Sequence, residues 1–473
     1  MGGSLARSWL TRSERRRLNV RQALIVLQSR SGYRLARRRV GLFDLFRLSS
    51  GVIPISQSAR VLHESWLLHV TQIPTAAGRE FRVIDWIKNW AAERPMVELR
   101  ADAAGNLDLR LGGRAMSEQR PVYFTAHLDH PAFVVERIVA PSVLDLTFRG
   151  GVMDEYFKNA AITVYDHHDQ PHAARLTGKA NPADEGSTAP KQPLQHYLAE
   201  LDEPENSVDV SIGDSIRPGD VAVWALPPAE ILDGLIHTQA CDDLAAVAAA
   251  LAALDVLMHL PEAASRDVRL LFTRAEEVGF IGAIAACRPA SHERTMPMNA
   301  RVIALENSRS FPADSPIGGG PIVRVGDRLT VFTPSLTEAV ARRAEQVAGG
   351  PASVTASQKA SEAPAWKWQR KLMAGGACEA SVYCAAGYEA TCVCLALGNY
   401  HNMADLTAVQ AGTNTSRAKI GREFVSIADF HGMVDLLVAC GLEMPEVGFG
   451  QPAAIQPKLD KLWKDLGHLV VAR

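Results

Sequence analysis

The fold is decided by the stretch Leu270-Leu271-Phe272-Thr273-Arg274-Ala275-Glu276-Glu277-Val278-Gly279. Its apolar first half has the length and composition of a buried strand, and two adjacent glutamates follow directly. One carboxylate of such a pair can bind a metal ion while its neighbour moves protons. The stretch therefore predicts a buried strand whose end carries hydrolytic chemistry.

Further polar side chains follow the same pattern at other predicted strand ends and at a helix start. They are His127 and Asp129 in Phe124-Thr125-Ala126-His127-Leu128-Asp129, Asp242 in Ala240-Cys241-Asp242-Asp243, Glu306 after the apolar run 302–305, and His401 in Gly398-Asn399-Tyr400-His401. Strands and helices alternate here, which predicts a three-layer α/β domain. Ligand sites in open α/β sheets lie beyond the carboxyl ends of the strands, so one face can hold all of these residues.

These residue types suit a centre of two divalent cations. Such a pair needs one shared carboxylate and end ligands for each ion. Asp242 is the predicted bridge, with His127 and Glu306 on one ion and Glu277 and His401 on the other. Imidazole nitrogen and carboxylate oxygen suit zinc, which we take as the expected cofactor, with cobalt or manganese as alternatives.

Three more carboxylates receive supporting roles. Glu276 is the predicted general base, which takes a proton from the water that the ions activate and passes it to the leaving amine. Asp129 is expected to hold the second imidazole nitrogen of His127 and so to fix the tautomer. Asp243 is expected at the start of the following helix, where the helix dipole favours a negative charge.

Taken one at a time, these signals are ordinary. A His-x-Asp sequence is more often a structural pair than a ligand motif, and Asp-Asp before an alanine-rich helix is usually a cap. His167, His168 and His172 are likewise interpreted as a solvated loop. The joint order His-x-Asp, Asp-Asp, Glu-Glu, Glu, His is what indicates a metal centre.

Composition predicts a soluble globular protein. The 473 residues are 47% apolar and 22% charged, with a formal net charge of -2, so no nucleic-acid or membrane partner is expected. The alanine-rich run 244–260 predicts a buried helix, since it is short and interrupted for a membrane span. Seven cysteines without CxxC spacing indicate reduced thiols and a cytoplasmic location.

The chain divides into four predicted parts. Residues 1–57 form a basic, weakly ordered extension, since residues 1–60 hold thirteen arginines and only two acids. A transit segment, an upstream stretch included through a wrongly chosen start codon, and a basic arm remain open interpretations. Residues 58–130 and 236–445 form the catalytic α/β domain, 131–235 an inserted β domain, and 446–473 a tail. Within these, 176–193 is expected to be an exposed loop, and a capping box is expected at Ser335-Leu336-Thr337-Glu338.

With these motifs, the chain resembles the dinuclear-metal aminopeptidases that include glutamyl, deblocking and tetrahedral aminopeptidases. The resemblance covers about residues 58–442, and the segments that match family motifs are His127-Leu128-Asp129, Cys241-Asp242-Asp243, Glu276-Glu277-Val278-Gly279, Gly318-Gly319-Gly320-Pro321 and Tyr400-His401. Glu306 falls where the family has its last carboxylate ligand. The family also inserts a β domain between the His-x-Asp and the Asp-Asp segment.

The resemblance implies a three-layer, phosphorylase/hydrolase-like zinc exopeptidase domain with an inserted small β-barrel domain for dimerisation or substrate access. It also implies a homo-oligomer, either a dimer or a higher assembly. Three departures concern the site: Glu306 stands where Asp is usual, His130 replaces a common acid, and 376–380 replaces a Gly-Thr-Asp-Ala-like stretch. Glutamate at the ligand position accompanies carboxypeptidases in related families.

We therefore expect a metal-dependent aminopeptidase that hydrolyses N-terminal residues from peptide substrates. A metallocarboxypeptidase or N-acyl amino acid amidohydrolase of the same clan is the alternative within this class of chemistry. A catalytically inactive binding or assembly homologue is the alternative outside it, and the presence of all five ligand types and the base disfavours it.

Overall fold

The computed structural model describes residues 53–111, 120–180, 194–202, 215–288, 294–353, 366–445, 455–466 and 469. Its α-helices are α1 (Gln57–Val70), α2 (Phe81–Ala92), α3 (Leu244–Met258), α4 (Ile281–Cys287), α5 (Pro334–Ala348), α6 (Glu379–Ala385), α7 (Leu406–Gln410), α8 (Ile427–Leu442) and α9 (Ile455–Leu466). Most of the predicted basic extension, residues 1–52, lies outside the described part of the chain.

The strands alternate with these helices in the order that the sequence predicts. They are β1 (Val97–Ala101), β2 (Leu107–Leu111), β3 (Val122–His127), β4 (Ala132–Ala140), β5 (Val143–Arg149), β6 (Ala161–Tyr165), β7 (Pro171–Lys179), β8 (Gln195–Leu201), β9 (Val221–Trp224), β10 (Glu230–Leu232), β11 (Leu235–Thr238), β12 (Val268–Thr273), β13 (Arg301–Arg309), β14 (Ile322–Gly326), β15 (Gln369–Leu372), β16 (Glu389–Leu397) and β17 (Glu423–Ser426).

A mixed eight-stranded sheet forms the middle layer, in the order β1-β2-β12-β3-β13-β16-β14-β15. The central strands β12, β3, β13 and β16 are parallel, and β2 and β14 flank them antiparallel. Parallel strands are buried on both faces, which explains their continuous apolar runs. The carboxyl ends of the four central strands therefore meet at one edge of the sheet.

Alternate side chains of each central strand face opposite layers. Leu270 and Phe272 pack into a core with α1, α2, α3, α5 and α8, whereas Leu271 packs into a core with α4 and α6. The helix α3 is buried on nearly every side, as predicted from its alanine-rich sequence. These layers confirm the predicted three-layer α/β class.

The strands between β3 and β10 close into a barrel, in the order β4-β5-β8-β7-β6-β9. Aromatic side chains fill its interior, with Phe133 packed edge-on against Trp224 and Phe157 stacked on Tyr197. The small β barrel that the sequence predicts is therefore present.

Three local predictions are wrong. Residues 176–179 belong to β7, because Ala174 and Leu176 point into the barrel core, while 181–193 lies outside the described residues. The helix α5 begins at Pro334, one residue before the predicted capping box at Ser335. Its N-cap residue is Thr333, and no side chain makes a capping hydrogen bond. Glu306 lies inside β13 rather than past its end, since that strand continues to Arg309.

Residues 455–466, inside the predicted tail, form the helix α9. Its side chains Leu459, Leu462, Trp463 and Leu466 are exposed. Among the helices of the described ranges, none combines the length and apolar character needed to cross a membrane.

Candidate metal centre and substrate cavity

Strand pairing brings the first candidate residues together. His127 is the last residue of β3, and the parallel pairing of β3 with β12 sets it opposite Thr273. Glu276 and Glu277 follow Thr273 after a two-residue turn, so both carboxylates reach the end of β3. The neighbouring strand β13 contributes Glu306 from its middle, beside the same edge.

The other two candidates approach from helix and loop positions. Asp242 lies just before α3, and His401 follows β16 in a 3₁₀ turn with a left-handed φ of 53°. All six side chains are nine-tenths or more withdrawn from solvent, with Glu277 at 6% side-chain exposure. The centre is therefore a buried cluster at the carboxyl edge of the sheet.

Asp242 lies between the two imidazoles. Its Oδ1 is 3.3 Å from His127 Nε2, and its Oδ2 is 3.4 Å from His401 Nε2. His401 Nε2 also lies 3.5 Å from Glu277 Oε1, and His127 Nε2 lies 4.0 Å from Glu306 Oε1. Each oxygen of the Asp242 carboxylate thus faces a different imidazole. Glu306 lies beside the His127 imidazole, and Glu277 lies beside that of His401.

Both imidazoles are oriented by backbone carbonyls. The Nδ1 atom of His127 lies 3.0 Å from the carbonyl oxygen of Asp129, and that of His401 lies 2.6 Å from the carbonyl oxygen of Gly151. A carbonyl only accepts hydrogen bonds, so each Nδ1 carries a proton. Nε2 is then the ring atom that faces Asp242, and it is the atom that a metal ion would bind once its proton is displaced.

The donor set fits divalent cations. Asp242 Oδ1 is buried and has no hydrogen-bond partner among the described residues. One oxygen or nitrogen from each of His127, Asp242 and Glu277 lies within 4.8 Å of the others, and the same holds for Asp242, Asp243 and Glu306. Burial raises the pKa of Glu277 and Glu306 well above the ordinary value, and the charge of Asp242 raises it further. Cations would relieve this crowding of carboxylates.

Glu276 faces the same space, and one of its carboxylate oxygens lies within 4.8 Å of ligand atoms of His127 and Glu306. Its Oε2 lies 3.8 Å from His127 Nε2, and burial raises the pKa of its carboxyl group well above the usual range. Burial alone would lower the pKa of His127, but Glu276 and other carboxylates raise it. A carboxyl group with a raised pKa is suited to accept and return a proton near neutral pH.

Asp129 differs from its predicted role. Its carboxylate Oδ1 is 3.6 Å from His127 Nδ1, farther than its own backbone carbonyl. The carboxylate instead accepts hydrogen bonds from the backbone N–H groups of Glu276 at 2.9 Å and Glu277 at 3.0 Å. Asp129 therefore holds the turn that carries both glutamates.

Asp243 stands at the start of α3, as predicted, and occupies its N-cap position. It precedes α3 but makes no side-chain cap, since its carboxylate accepts hydrogen bonds from Asn307 Nδ2 at 2.7 Å and from the backbone of His127 at 3.3 Å. These bonds tie β3 and β13 to the start of α3, so Asp243 also connects the helix start to the candidate centre.

Sequence reasoning missed Glu423, which lies in β17 and carries no motif. Its buried carboxylate accepts hydrogen bonds from the backbone N–H groups of Cys241 at 2.7 Å, Asp242 at 3.0 Å and His401 at 2.8 Å. One side chain thereby positions both Asp242, the candidate bridging residue, and His401. No sequence signal could have identified it, because its donors are backbone groups 22 to 182 residues away.

The departures noted in the sequence lie around the same centre. His130 is buried between the carbonyl of Asp242 and the Asn402 side chain, and burial lowers its pKa to about 4. Glu379 is buried with one hydrogen bond from Tyr383, and burial raises its pKa to about 7. The His172 imidazole lies 2.9 Å from Asp166, outside this centre.

A cavity of about 410 Å³ opens beside the candidate centre. Glu306 lines it together with Arg324, whose side chain is only 2% exposed. The Nη1 atom of Arg324 donates to Ser308 Oγ at 3.0 Å, and its Nε has no partner among the described residues. A buried guanidinium in the wall of a cavity favours an anionic group there through its charge.

Comparison with known proteins relates this chain to one family. The family model for M42 glutamyl aminopeptidases matches residues 105–417, well over half of the chain. None of the curated proteins matches it.

Solved structures share the fold at low sequence identity. An aminopeptidase of Desulfurococcus kamchatkensis is 21% identical with a TM-score of 0.57, and the match covers 81% of this chain and 95% of the other. The TET1 peptidase of Pyrococcus horikoshii is 19% identical with a TM-score of 0.56, covering 80% and 99%. A TET aminopeptidase from a marine Thaumarchaeota archaeon is 16% identical with a TM-score of 0.59, covering 81% and 97%.

Proposed function

Because the chain belongs to the M42 glutamyl aminopeptidase family, we propose that it is a two-metal aminopeptidase that releases N-terminal residues from peptides. The observation that carries the proposal is the placement of Asp242, whose two oxygens face the Nε2 atoms of His127 and His401. A carboxylate shared in this way is the central requirement of a two-ion hydrolytic centre.

The proposed ligands divide into two sets around that carboxylate. His127, Asp242 and Glu306 would hold one ion, and Asp242, Glu277 and His401 the other. The nitrogen and oxygen donors favour zinc, and cobalt or manganese fit the same set. Bound cations would lower the pKa of a nucleophilic water and polarise the scissile carbonyl.

Glu276 is the proposed general base. Its carboxylate would take a proton from the attacking water and return it to the nitrogen of the leaving amine. The backbone hydrogen bonds from Glu276 and Glu277 to Asp129 hold this carboxylate in place during both transfers. Burial of the cluster excludes bulk water and strengthens these interactions.

We infer from the cavity that acidic N-terminal residues are the preferred substrates. Arg324 lies in the wall next to Glu306, so a side-chain carboxylate of a substrate held at the centre can reach its guanidinium. Arg309 also lines the cavity, but its guanidinium donates to Gln410 and Thr407. If Arg324 instead binds the terminal carboxylate of a carboxypeptidase substrate, the released products are C-terminal residues.

The proposal includes partners and location. Peptides are the substrates, and we propose a homo-oligomer because the TET1 peptidase of Pyrococcus horikoshii can assemble into a tetrahedron or a large octahedral shell. All seven cysteines lie in the described part of the chain as free thiols, which supports a reducing, cytoplasmic location. Residues 131–235 remain the proposed inserted domain, between the two parts of the catalytic domain, and the barrel strands lie within them at 132–224.

The test is a substrate panel with each metal. Purified protein is stripped with a chelator, reloaded with zinc, cobalt or manganese, and offered the p-nitroanilides of glutamate, leucine and alanine beside N-acetyl-glutamate p-nitroanilide. We expect hydrolysis only of substrates with a free amine, fastest for glutamate, and none without metal. Hydrolysis confined to N-blocked substrates, or release of C-terminal residues from blocked dipeptides, would contradict the aminopeptidase assignment.

A further inference from the structure

The chain leaves the candidate centre at His401 and returns to it at Glu423. We call the intervening segment, 402–422, the cavity loop. Its ends are tied together, since the backbone N–H of His401 donates to Glu423 and that of Gly421 donates to the carbonyl of Asn402, both at 2.8 Å. The cavity loop therefore has a closed base, and it contains the helix α7.

The cavity loop is anchored on two sides. Its side chains Met403, Leu406 and Val409 form an apolar cluster with Tyr156 of the barrel region, and Tyr156 Oη donates to the carbonyl of Ala404 at 2.7 Å. On the sheet side, Arg309 donates to Gln410 Oε1 at 2.7 Å and to Thr407 Oγ1 at 2.8 Å. The loop is therefore held against both parts of the molecule.

One side of the anchored loop forms a wall of the cavity beside Glu306. Met403, Leu406 and Gln410 line it, together with Phe311 and the segment 372–377. Leu406 is 7% exposed and belongs to both the apolar cluster and the cavity wall. Val409 is 8% exposed and belongs to the same cluster, but it does not line the cavity. Substituting Val409 therefore changes only the packing of the loop, whereas substituting Leu406 also changes the shape of the cavity.

We propose that the cavity loop sets the width of the site for the substrate's N-terminal side chain, with Leu406 as the specificity-determining residue. The proposal rests on the aminopeptidase function. Leu406 is held in place by the apolar cluster behind it, so a wide substrate side chain cannot displace it. A narrow substrate side chain fits between Leu406 and the rest of the cavity wall. Arg324 selects the charge of the side chain in the cavity, and Leu406 selects its breadth.

The test compares Leu406→Ala with its matched control Val409→Ala. We measure kcat/KM for phenylalanine and glutamate p-nitroanilides on the metal-loaded, full-length protein. Removing Leu406 should raise the phenylalanine-to-glutamate ratio about tenfold or more, the effect typical of opening an apolar pocket by several carbon atoms. Val409→Ala should leave the ratio within about twofold, although it weakens the same cluster. Leu406→Phe should shift the ratio the opposite way.

Two outcomes would overturn the proposal: an unchanged ratio in Leu406→Ala, or equal shifts in both alanine variants. Calorimetric binding of free phenylalanine and glutamate to the same proteins gives the ratio without turnover. A wild-type protein that hydrolyses neither substrate would contradict the aminopeptidase function, and the binding ratio would still decide the role of Leu406. Thermal unfolding of each variant confirms that the comparison is made between folded proteins.

Discussion

The Oε1 atom of Glu423 accepts a hydrogen bond of 2.8 Å from the backbone N–H of His401, and its Oε2 accepts one of 3.0 Å from the backbone of Asp242. A single buried carboxylate thus fixes the spacing between the candidate bridging ligand and the candidate end ligand of one ion. Groups of this kind, behind the ligands, set ligand orientation and thereby metal affinity.

The first prediction concerns this carboxylate. Glu423→Gln replaces one acceptor oxygen by an NH₂ group, so at least one of the three backbone donors loses its partner. We expect cation affinity to fall by about 10- to 100-fold. Competition with a chelator measures the dissociation constant. Glu338→Gln, which alters the ion pairs of Glu338 with Arg342 and Arg370, is the control. Equal affinities in Glu423→Gln and the wild type would contradict a positioning role.

Separate roles for the adjacent glutamates form the second prediction. Glu276→Gln should lower kcat by at least about 10²-fold, the usual contribution of a general base, while the cations stay bound. Glu277→Gln should lose cation because Glu277 lies beside Asp242 and His401. Metal content by elemental analysis, together with kcat, separates the two variants. Full activity in Glu276→Gln would refute the base assignment.

The third prediction tests charge selection by Arg324. Arg324→Met keeps an unbranched side chain but removes the guanidinium, so kcat/KM for glutamate p-nitroanilide should fall by about 10- to 100-fold, matching about 1.5 to 3 kcal/mol for a charged hydrogen bond. The value for leucine p-nitroanilide should change little. Arg328→Met, at a position just after β14 and outside the cavity lining, is the control. Parallel losses for both substrates would show a structural effect instead.

The fourth prediction concerns stability away from the centre. Burial raises the pKa of Asp108 to about 6, above the ordinary 3.8, and its Oδ1 has no partner among the described residues. The folded state therefore binds the proton more tightly, so the contribution of Asp108 to stability rises as pH falls from about 6 to 4.

Asp108→Asn should accordingly stabilise the protein at pH 8 by about 1 to 3 kcal/mol, and this gain should shrink towards pH 4. Denaturant unfolding at both pH values measures the free energy of unfolding. Asp314→Asn, which alters an exposed ion pair, is the control. A gain that grows as the pH falls would give the wrong sign and contradict the interpretation.

Local pattern was sufficient for the main elements and for the candidate ligands. The apolar runs before His127 and Glu276 predict β3 and β12, and the alanine-rich run after Asp242 predicts α3, because burial on both faces leaves little choice of residue type. The rule that ligands gather at the carboxyl ends of parallel strands then predicts one shared edge. Glu306 was predicted at the wrong place in its strand, since its neighbours 307–309 are polar yet remain paired in the sheet.

Sequence by itself determined the α/β class, the order of the strands that carry chemistry, and which carboxylates and imidazoles to consider. Only the tertiary structure decided that Asp129 holds a turn, that Glu423 supports two ligands, and that Arg324 and Leu406 line one cavity. These relationships depend on hydrogen bonds and packing between segments far apart in the chain, and a local pattern has no information about distances that the packing of whole layers sets.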